Sequence, residues 1–435
     1  MSSIKVGLLG LGVVGGGTWK VLSENADEIA RRAGCRIEVV AVAARNTERA
    51  RELISDDVML TTEAMDVVNH PDIDIIVELV GGETVAKEWI MQAIEQGKHV
   101  VTANKALLAL HGNEIFAAAH RKGVMVAYEA AVAGGIPIVK AIREGLTANR
   151  IQWLAGIING TTNFILSEMR SQGLSFADAL ADAQRLGYAE ADPTFDIEGV
   201  DAAHKLSLLS SLAFGVPVQF DAAHIEGITT LAAEDISHAE RLGYTVKLLG
   251  ITRNRPGEGI ELRVHPTLVP ADSLLANVQG AMNAVMVHGD AVGSTVYYGA
   301  GAGELPTASA VVADLVDVAR LLTADPQHRV PYLAFQHDAM ADTPVLPMSE
   351  VLSSYYLRLR VEDRPGVLAD VSRILANAHI SIGSMFQEPA TEEGGADIIF
   401  LTHEAREGSI DMAIEQIQRL EFVHSKVIRL RVENL

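Results

Sequence analysis

Residues 4–22 read IKVGLLGLGVVGGGTWKVL. The first six are a short apolar run suited to a strand buried on both faces. Gly10, Gly12 and Gly15 follow with G-x-G-x-x-G spacing, and an apolar helical pattern begins at once. Glycines at this spacing permit a tight turn and let the backbone approach a pyrophosphate seated at a helix N-terminus. The motif is weak by itself. Here it follows a strand, opens a helix and precedes a second strand, RIEVVAVAAR at 36–45, which is the context a dinucleotide site requires.

The end of that second strand bears on the nucleotide. An NAD site commonly has an acidic residue there for the ribose hydroxyl. This chain has Ala43, Ala44 and Arg45, with Arg49 and Arg51 close behind. Arginine at this place accommodates a 2′-phosphate, which favours NADP over NAD; ordinary basic residues of a solvated loop are the alternative. Strand and helix patterns keep alternating to about Tyr128, so residues 1–128 are expected to form a Rossmann-like, doubly wound nucleotide-binding domain. A helix near 306–323 would complete it. Lys105, in VVTANK, falls just past a strand end, where ligands of such sheets sit.

From Glu129 to about residue 323 helical segments give way to probable strands, which predicts an α+β substrate and dimerisation domain. Within it, FDIEGVDAAHKLSLLS (195–210) becomes a helix near Val200. Asp201 and Lys205 are four apart and share a face. A surface pair of this kind is common, but the other helix faces are apolar, so burial is expected, and buried charges must pair or change protonation. His204 lies at a different angle and reads as structural. Asn159, Thr161, Thr162 and Asn163 read mainly as a helix cap. Pro326, Pro331, Pro344 and Pro347 mark 324–350 as a linker. Residues 351–435 then follow a strand–helix–strand–strand–helix–strand order, the ferredoxin-like βαββαβ plan.

The chain has 435 residues, a formal net charge of −21 and one cysteine, Cys35. The length fits two or three domains. The charge argues against a nucleic-acid partner or an anionic membrane, and the single cysteine excludes an internal disulfide framework. No apolar run reaches the roughly 18 residues of a membrane span. The expected protein is soluble and cytoplasmic.

Taken in order, GLGVVGGG, VVTANK, GIINGTTNFILSEM, LGYAEADPTFDIEGVDAAHKLSLL and GAGAGELPTASAVVADL resemble homoserine dehydrogenase, in its monofunctional form. VEDRPGVLADVSRIL resembles the start of an ACT domain. The resemblance implies NAD(P)-dependent interconversion of L-homoserine and L-aspartate 4-semialdehyde, in the biosynthesis of threonine, methionine and isoleucine. It places the catalytic lysine at Lys205 with Asp201 as partner. Glu190, Asp196 and Lys105 become substrate-binding residues. Gly10, Gly12, Val13, Val14, Gly15, Arg45, Lys105, Gly303 and Glu304 become cofactor contacts. A sodium ion on the carbonyls of Glu129, Val132, Gly134 and Ile136 is implied too. The ACT domain implies L-threonine as a feedback effector and a homodimer or homotetramer. A dehydrogenase of another small amino or hydroxy acid, or a non-catalytic amino-acid sensor, are the competing readings.

Overall fold

The computed structural model describes residues 3–387 and 395–435. The first sheet holds β1 (Ser3–Leu9), β2 (Arg36–Ala43), β3 (Met59–Thr61), β4 (Ile75–Glu78), β5 (His99–Thr102) and β6 (Val126–Ala127). All pairings are parallel, in the order β3-β2-β1-β4-β5-β6. Every residue of β4 is buried, as a strand covered on both faces must be. The strand order reverses between β1 and β4, and the crevice beyond their carboxyl ends is the ligand position of such a sheet. Gly10 stands there with φ +92, and a Cβ on Gly15 would lie 2.1 Å from the Gly10 carbonyl oxygen. The turn therefore closes only over glycine.

The helix Glu304–Leu321, far along the chain, returns to this domain. Its Val311 and Leu315 share a core with Leu22 and Ile29. Gly17 makes the approach possible, since a Cβ there would lie 2.8 Å from the Glu304 carbonyl oxygen.

The second sheet is mixed. It contains β7 (Ile151–Ile157), β8 (His224–Ile225), β9 (Tyr244–Arg255), β10 (Gly259–Pro270), β11 (Met282–Gly289) and β12 (Gly293–Ala300). It continues into β13 (Leu352–Glu362), β14 (Ile382–Gln387), β15 (Gly395–Thr402), β16 (Ala405–Arg406) and β17 (Ile428–Val432). The order is β12-β11-β7-β9-β10-β17-β13-β15-β14. Strand β7 lies between β11 and β9 but is not legible beforehand. Its IQWLAGI is apolar nearly throughout, so it lacks the alternation that marks a half-buried strand.

The C-terminal unit has the expected strand and helix order, with helices Val367–Asn377 and Glu407–Gln418. It is not a free-standing appendage, however. β17 pairs in parallel with β10 (Thr267 with Arg431, Leu268 with Val432) and so joins the C-terminal strands to the substrate-domain strands in one sheet. Without this pairing β17 would present an open edge, and so would the part of β10 that β8 does not cover. Buried charge reinforces the seam. Arg358 of β13 donates twice to Asp235, at 2.6 and 2.9 Å, and the Tyr356 hydroxyl donates to the same carboxylate at 3.0 Å.

Residues 324–350 form an anchored strap rather than a loose linker. The Arg329 guanidinium donates to the carbonyls of Leu322, Ala324 and Gly123. The Tyr128 hydroxyl donates to the Tyr332 carbonyl at 2.8 Å. Ala341 N donates to Gly215 O at 2.7 Å, at the end of the helix that carries Lys205.

Candidate functional site

The helix Val200–Phe214 starts and stops at Gly199 and Gly215, both in the left-handed region. Most of its residues are buried, as its apolar faces require. Asp201, in its first turn, is 5% exposed and Lys205 is 11% exposed. Lys205 Nζ donates to Asp201 Oδ2 at 2.7 Å and to the Ile158 carbonyl, just past β7, at 2.7 Å. An ammonium has three donors. The third position has no partner among the described residues: it is an N–H when the amine is charged and a lone pair when it is neutral.

Asp201 is shared. Its Oδ2 also accepts from Asn159 Nδ2 at 2.8 Å, and its Oδ1 lies 3.2 Å from Lys105 Nζ. Asn159 has two duties, because its Oδ1 caps the helix Gly160–Gln172 by accepting from Thr162 N at 2.8 Å. The cap expected from sequence is present, but the amide also bridges Asp201 to Asp196, donating to Asp196 Oδ1 at 2.7 Å. Thr161 ties the same group to the preceding loop, donating to Asp196 Oδ2 at 3.2 Å and to the Tyr188 carbonyl at 2.7 Å.

Lys105 is held from the nucleotide domain. Buried Glu78, at the end of β4, accepts from the amides of Val80 and Gly81 and from the Thr102 hydroxyl at 2.7 Å. The Thr102 hydroxyl oxygen in turn accepts from Asn104 N. Asn104 caps the helix Lys105–Lys122 and donates to Gly82 O at 2.7 Å. Lys105 leaves this frame a third exposed, with its ammonium 5.8 Å from the centre of the Phe195 ring. Sequence reasoning missed Glu78, Thr102 and Asn104. The bonds of Glu78 to Thr102 and of Asn104 to Gly82 join separate strand ends and carry no local pattern, whereas Asn104 before the helix in VVTANK is a local cap signal.

The electrostatics follow from this packing. Burial lowers the Lys205 pKa and the Lys105 charge lowers it further, while Asp201 opposes both. Burial works to raise the Asp201 carboxyl, but Lys205, Lys105 and Asn159 hold it down at about 2. Asp196 is raised, by burial and then by Asp201. His204 packs edge-on against Phe195 and Phe220 and burial lowers it to about 4, in keeping with a structural role. Glu190 lies on an exposed loop. Gln184 holds its backbone carbonyl at 3.1 Å, and its carboxylate makes no ion pair among the described residues.

A cleft of about 370 Å³ opens beside the glycine turn, lined by Gly10, Gly12, Ala44, Arg45, Arg49 and Val80 among others. Arg45 and Arg49 are exposed at its rim, whereas Arg51 turns away to the carbonyls of Ser55 and Val58. Val13 and Val14 form the first turn of the helix Val13–Glu24, whose N-cap Gly12 has no side chain to occupy the first amides. The cradle fits a dinucleotide pyrophosphate. Gly303, at φ +127, caps the helix that Glu304 begins, and Glu304 rests on Gly17 beside the cradle.

Glu129, Val132, Gly134 and Ile136 fall in one buried turn. Positive φ at Ala133 and Gly134 reorients its peptide planes, and the turn presses on the loop at Gly301. The carbonyls of Glu129 and Ile136 already accept the amides of Val132 and Ile138, leaving one lone pair on each. The Glu129 carboxylate accepts from the amides of Val139 and Lys140, both at 2.8 Å. Burial nevertheless raises it to about 7.

Three family profiles match the chain. They are homoserine dehydrogenase over residues 137–316, the NAD binding domain of homoserine dehydrogenase over 10–129, and the ACT domain over 355–422. The chain is 60% identical to the homoserine dehydrogenase of Pseudomonas aeruginosa, with 100% of each covered. It is 54% identical to that of Neisseria gonorrhoeae, again with 100% of each covered. Its fold matches a solved homoserine dehydrogenase from Thiobacillus denitrificans with a TM-score of 0.95 and 64% identity, covering 100% of this chain and 99% of that one.

Proposed function

The chain belongs to the homoserine dehydrogenase family, and on that premise we propose how its residues carry the reaction. The activity is that of a nicotinamide-dependent oxidoreductase acting on homoserine. A bound nicotinamide would take the hydride from the alcohol carbon of L-homoserine, or return it to L-aspartate 4-semialdehyde. Lys205 handles the proton. The observation that carries this role is its free third position, fixed by the bonds to Asp201 and Ile158. Neutral Lys205 accepts the hydroxyl proton during oxidation, and charged Lys205 returns it during reduction. Asp201 orients the amine and stabilises its charged form. Asp196 and Glu190 supply carboxylates for the substrate's ammonium, and Lys105 lies between substrate and cofactor.

Gly10, Gly12, Val13, Val14 and Gly15 hold the pyrophosphate. The Arg45 guanidinium, exposed at the cleft rim without an acidic partner among the described residues, supports NADP as the preferred form. Gly303 and Glu304 close the nicotinamide end. The carbonyls of Glu129, Val132, Gly134 and Ile136 would be the ligands of a sodium ion, with the acidic side chains of Glu129 and Asp314 close by. Its role there would be to stiffen the turn against the Gly301 loop.

In the ACT domain, a cleft of about 360 Å³ is lined by Glu362, Arg364, Gly366, Val367, Gln387 and Ile398 among others. It opens at the uncapped start of the helix Val367–Asn377. This is where L-threonine would bind, and the outer edge at β14 supports pairing of ACT domains in a dimer or tetramer. No helix of the described residues is long and apolar enough to cross a membrane. The relatives and the intact Lys205–Asp201–Lys105–Asn159 cluster stand against a sensor without catalysis, and a panel of small hydroxy acids tests the other dehydrogenase reading.

Homoserine-dependent reduction of NADP⁺, followed by absorbance, reads three expectations. Lys205→Ala lowers kcat by about 10²–10⁴-fold with cofactor affinity retained; near-normal turnover rejects the proton role. Oxidation needs neutral Lys205, so its rate rises with pH through the lysine's pKa. Lys105→Met removes a charge that lowers that pKa, so the rising limb moves to higher pH; a stationary or acid-shifted limb contradicts the assignment. Arg45→Ala raises the KM for NADP⁺ about tenfold, the loss of about 1.4 kcal/mol expected of a charged hydrogen bond, and leaves that for NAD⁺ unchanged. For regulation, Gly366→Ala strains a backbone at φ +98. It is expected to raise the L-threonine concentration for half-inhibition by about tenfold, and equal sensitivity would remove threonine from this cleft.

A further inference from the structure

The last strand of the ACT domain is wired to the segment that carries the acidic site residues. Arg431, on β17, is fully buried, and its guanidinium is divided between two carboxylates. Nη1 and Nη2 donate to Glu226 at 2.9 and 2.8 Å. Nε donates to Glu407 at 2.9 Å, and Nη2 also reaches Glu407. Glu407 opens an ACT helix, whereas Glu226 follows β8 in the substrate domain. Arg429 adds a second cation, 3.3 Å from Glu226.

Glu226 leads directly toward the site. Its amide donates to Val264 O of β10 at 2.8 Å. The residues after it are joined to 197–199. Ile228 N donates to Ile197 O at 2.8 Å, and the Thr229 hydroxyl donates to Glu198 at 3.1 Å. A Cβ on Gly227 would lie 2.3 Å from Ile197 O and 2.5 Å from Glu198 Cα, so backbone rests on backbone. Gly199 N donates to Asp196 O at 3.0 Å, and Gly199 O accepts Ala203 N to start the helix of Asp201 and Lys205. The contacts are unbroken from Arg431 to Asp196 and Asp201.

Docking alone does not call for Arg431. Backbone pairing of β17 with β10 and β13, together with the buried side chains of Leu430 and Val432, already joins the domains. Burying a guanidinium with its carboxylates is a poor source of stability, because desolvation offsets the attraction; what a buried ion pair secures well is position. We infer that Arg431 is a positioning residue for the homoserine reaction, acting through Glu226 to hold the segment 196–201 where it sets affinity for the amino-acid substrate. The inference rests on the reading of Asp196 and Asp201 given above.

The test compares full-length wild type, Arg431→Lys, Glu226→Gln and the double variant. Lysine keeps the charge but cannot span both carboxylates. Glutamine nearly preserves shape at a residue a third exposed. The expected result is a rise of about five- to tenfold in the KM for L-homoserine in each single variant. The KM for NADP⁺ stays near wild type, and the double variant is no worse in homoserine KM than the worse single one; Arg431→Lys lowers the melting temperature, because a buried carboxylate loses donors, and Glu226→Gln lowers it less. An unchanged homoserine KM in the folded variants overturns the inference, as does an equal rise in both KM values. If Arg431→Lys does not fold, Glu226→Gln decides by the same readouts. Wild-type turnover of L-homoserine in the same assay separates failure of this inference from failure of the underlying reading.

Discussion

One buried carboxylate organises the centre of this protein. Asp201 is almost wholly removed from water, which by itself would drive it toward the neutral form. Three donors keep it charged, and each comes from a different place: Lys205 one turn along its own helix, Asn159 from the start of another, and Lys105 from the nucleotide domain. The interaction that satisfies the carboxylate therefore also sets the two domains against each other. It leaves Lys205 with competing influences, since Asp201 favours its charge while burial and Lys105 disfavour it. A proton-transfer group needs that balance more than it needs a strong shift in either direction.

Around this centre, close approach of backbone to backbone does what side chains cannot. Gly15 packs over Gly10, Gly17 meets Glu304, and Gly134 meets Gly301. Three stretches distant in the chain are thereby brought to one side of the nucleotide crevice. The helix Glu304–Leu321 shows the consequence: the nucleotide domain is completed by a helix that follows most of the substrate domain in the chain. Buried Asn283 lies in the same region, with both amide atoms lacking a partner among the described residues and its side chain against Gly301.

The seam to the ACT domain uses charge where a simple sheet junction would use apolar contact. Arg358 with Asp235, Arg263 with Glu261 and Glu433, and Arg431 with Glu407 are buried or nearly so, and Arg431 also holds the partly exposed Glu226. Such pairs add little net stability but tolerate few alternative registers, because any shift leaves an unpaired charge in a dry interface. The fused sheet, the anchored strap and these pairs join the ACT domain to the substrate domain.

Sequence alone determined whatever depends on short-range geometry. The strand–glycine–helix opening and the alternation after it pointed to a doubly wound domain, and the four-residue spacing put Asp201 and Lys205 on one face. The family resemblance named the chemistry. What only the tertiary structure decided are relations between distant segments. Asn159 joins Asp196 and Asp201 across 37 and 42 residues. Lys105 reaches Asp201 from another domain, Glu78 sets the loop that carries Lys105, β7 lies unannounced within the second sheet, and β17 turns an expected appendage into part of that sheet. A hydrophobic period reports which face of an element is buried, but it carries no information about which other element will cover that face.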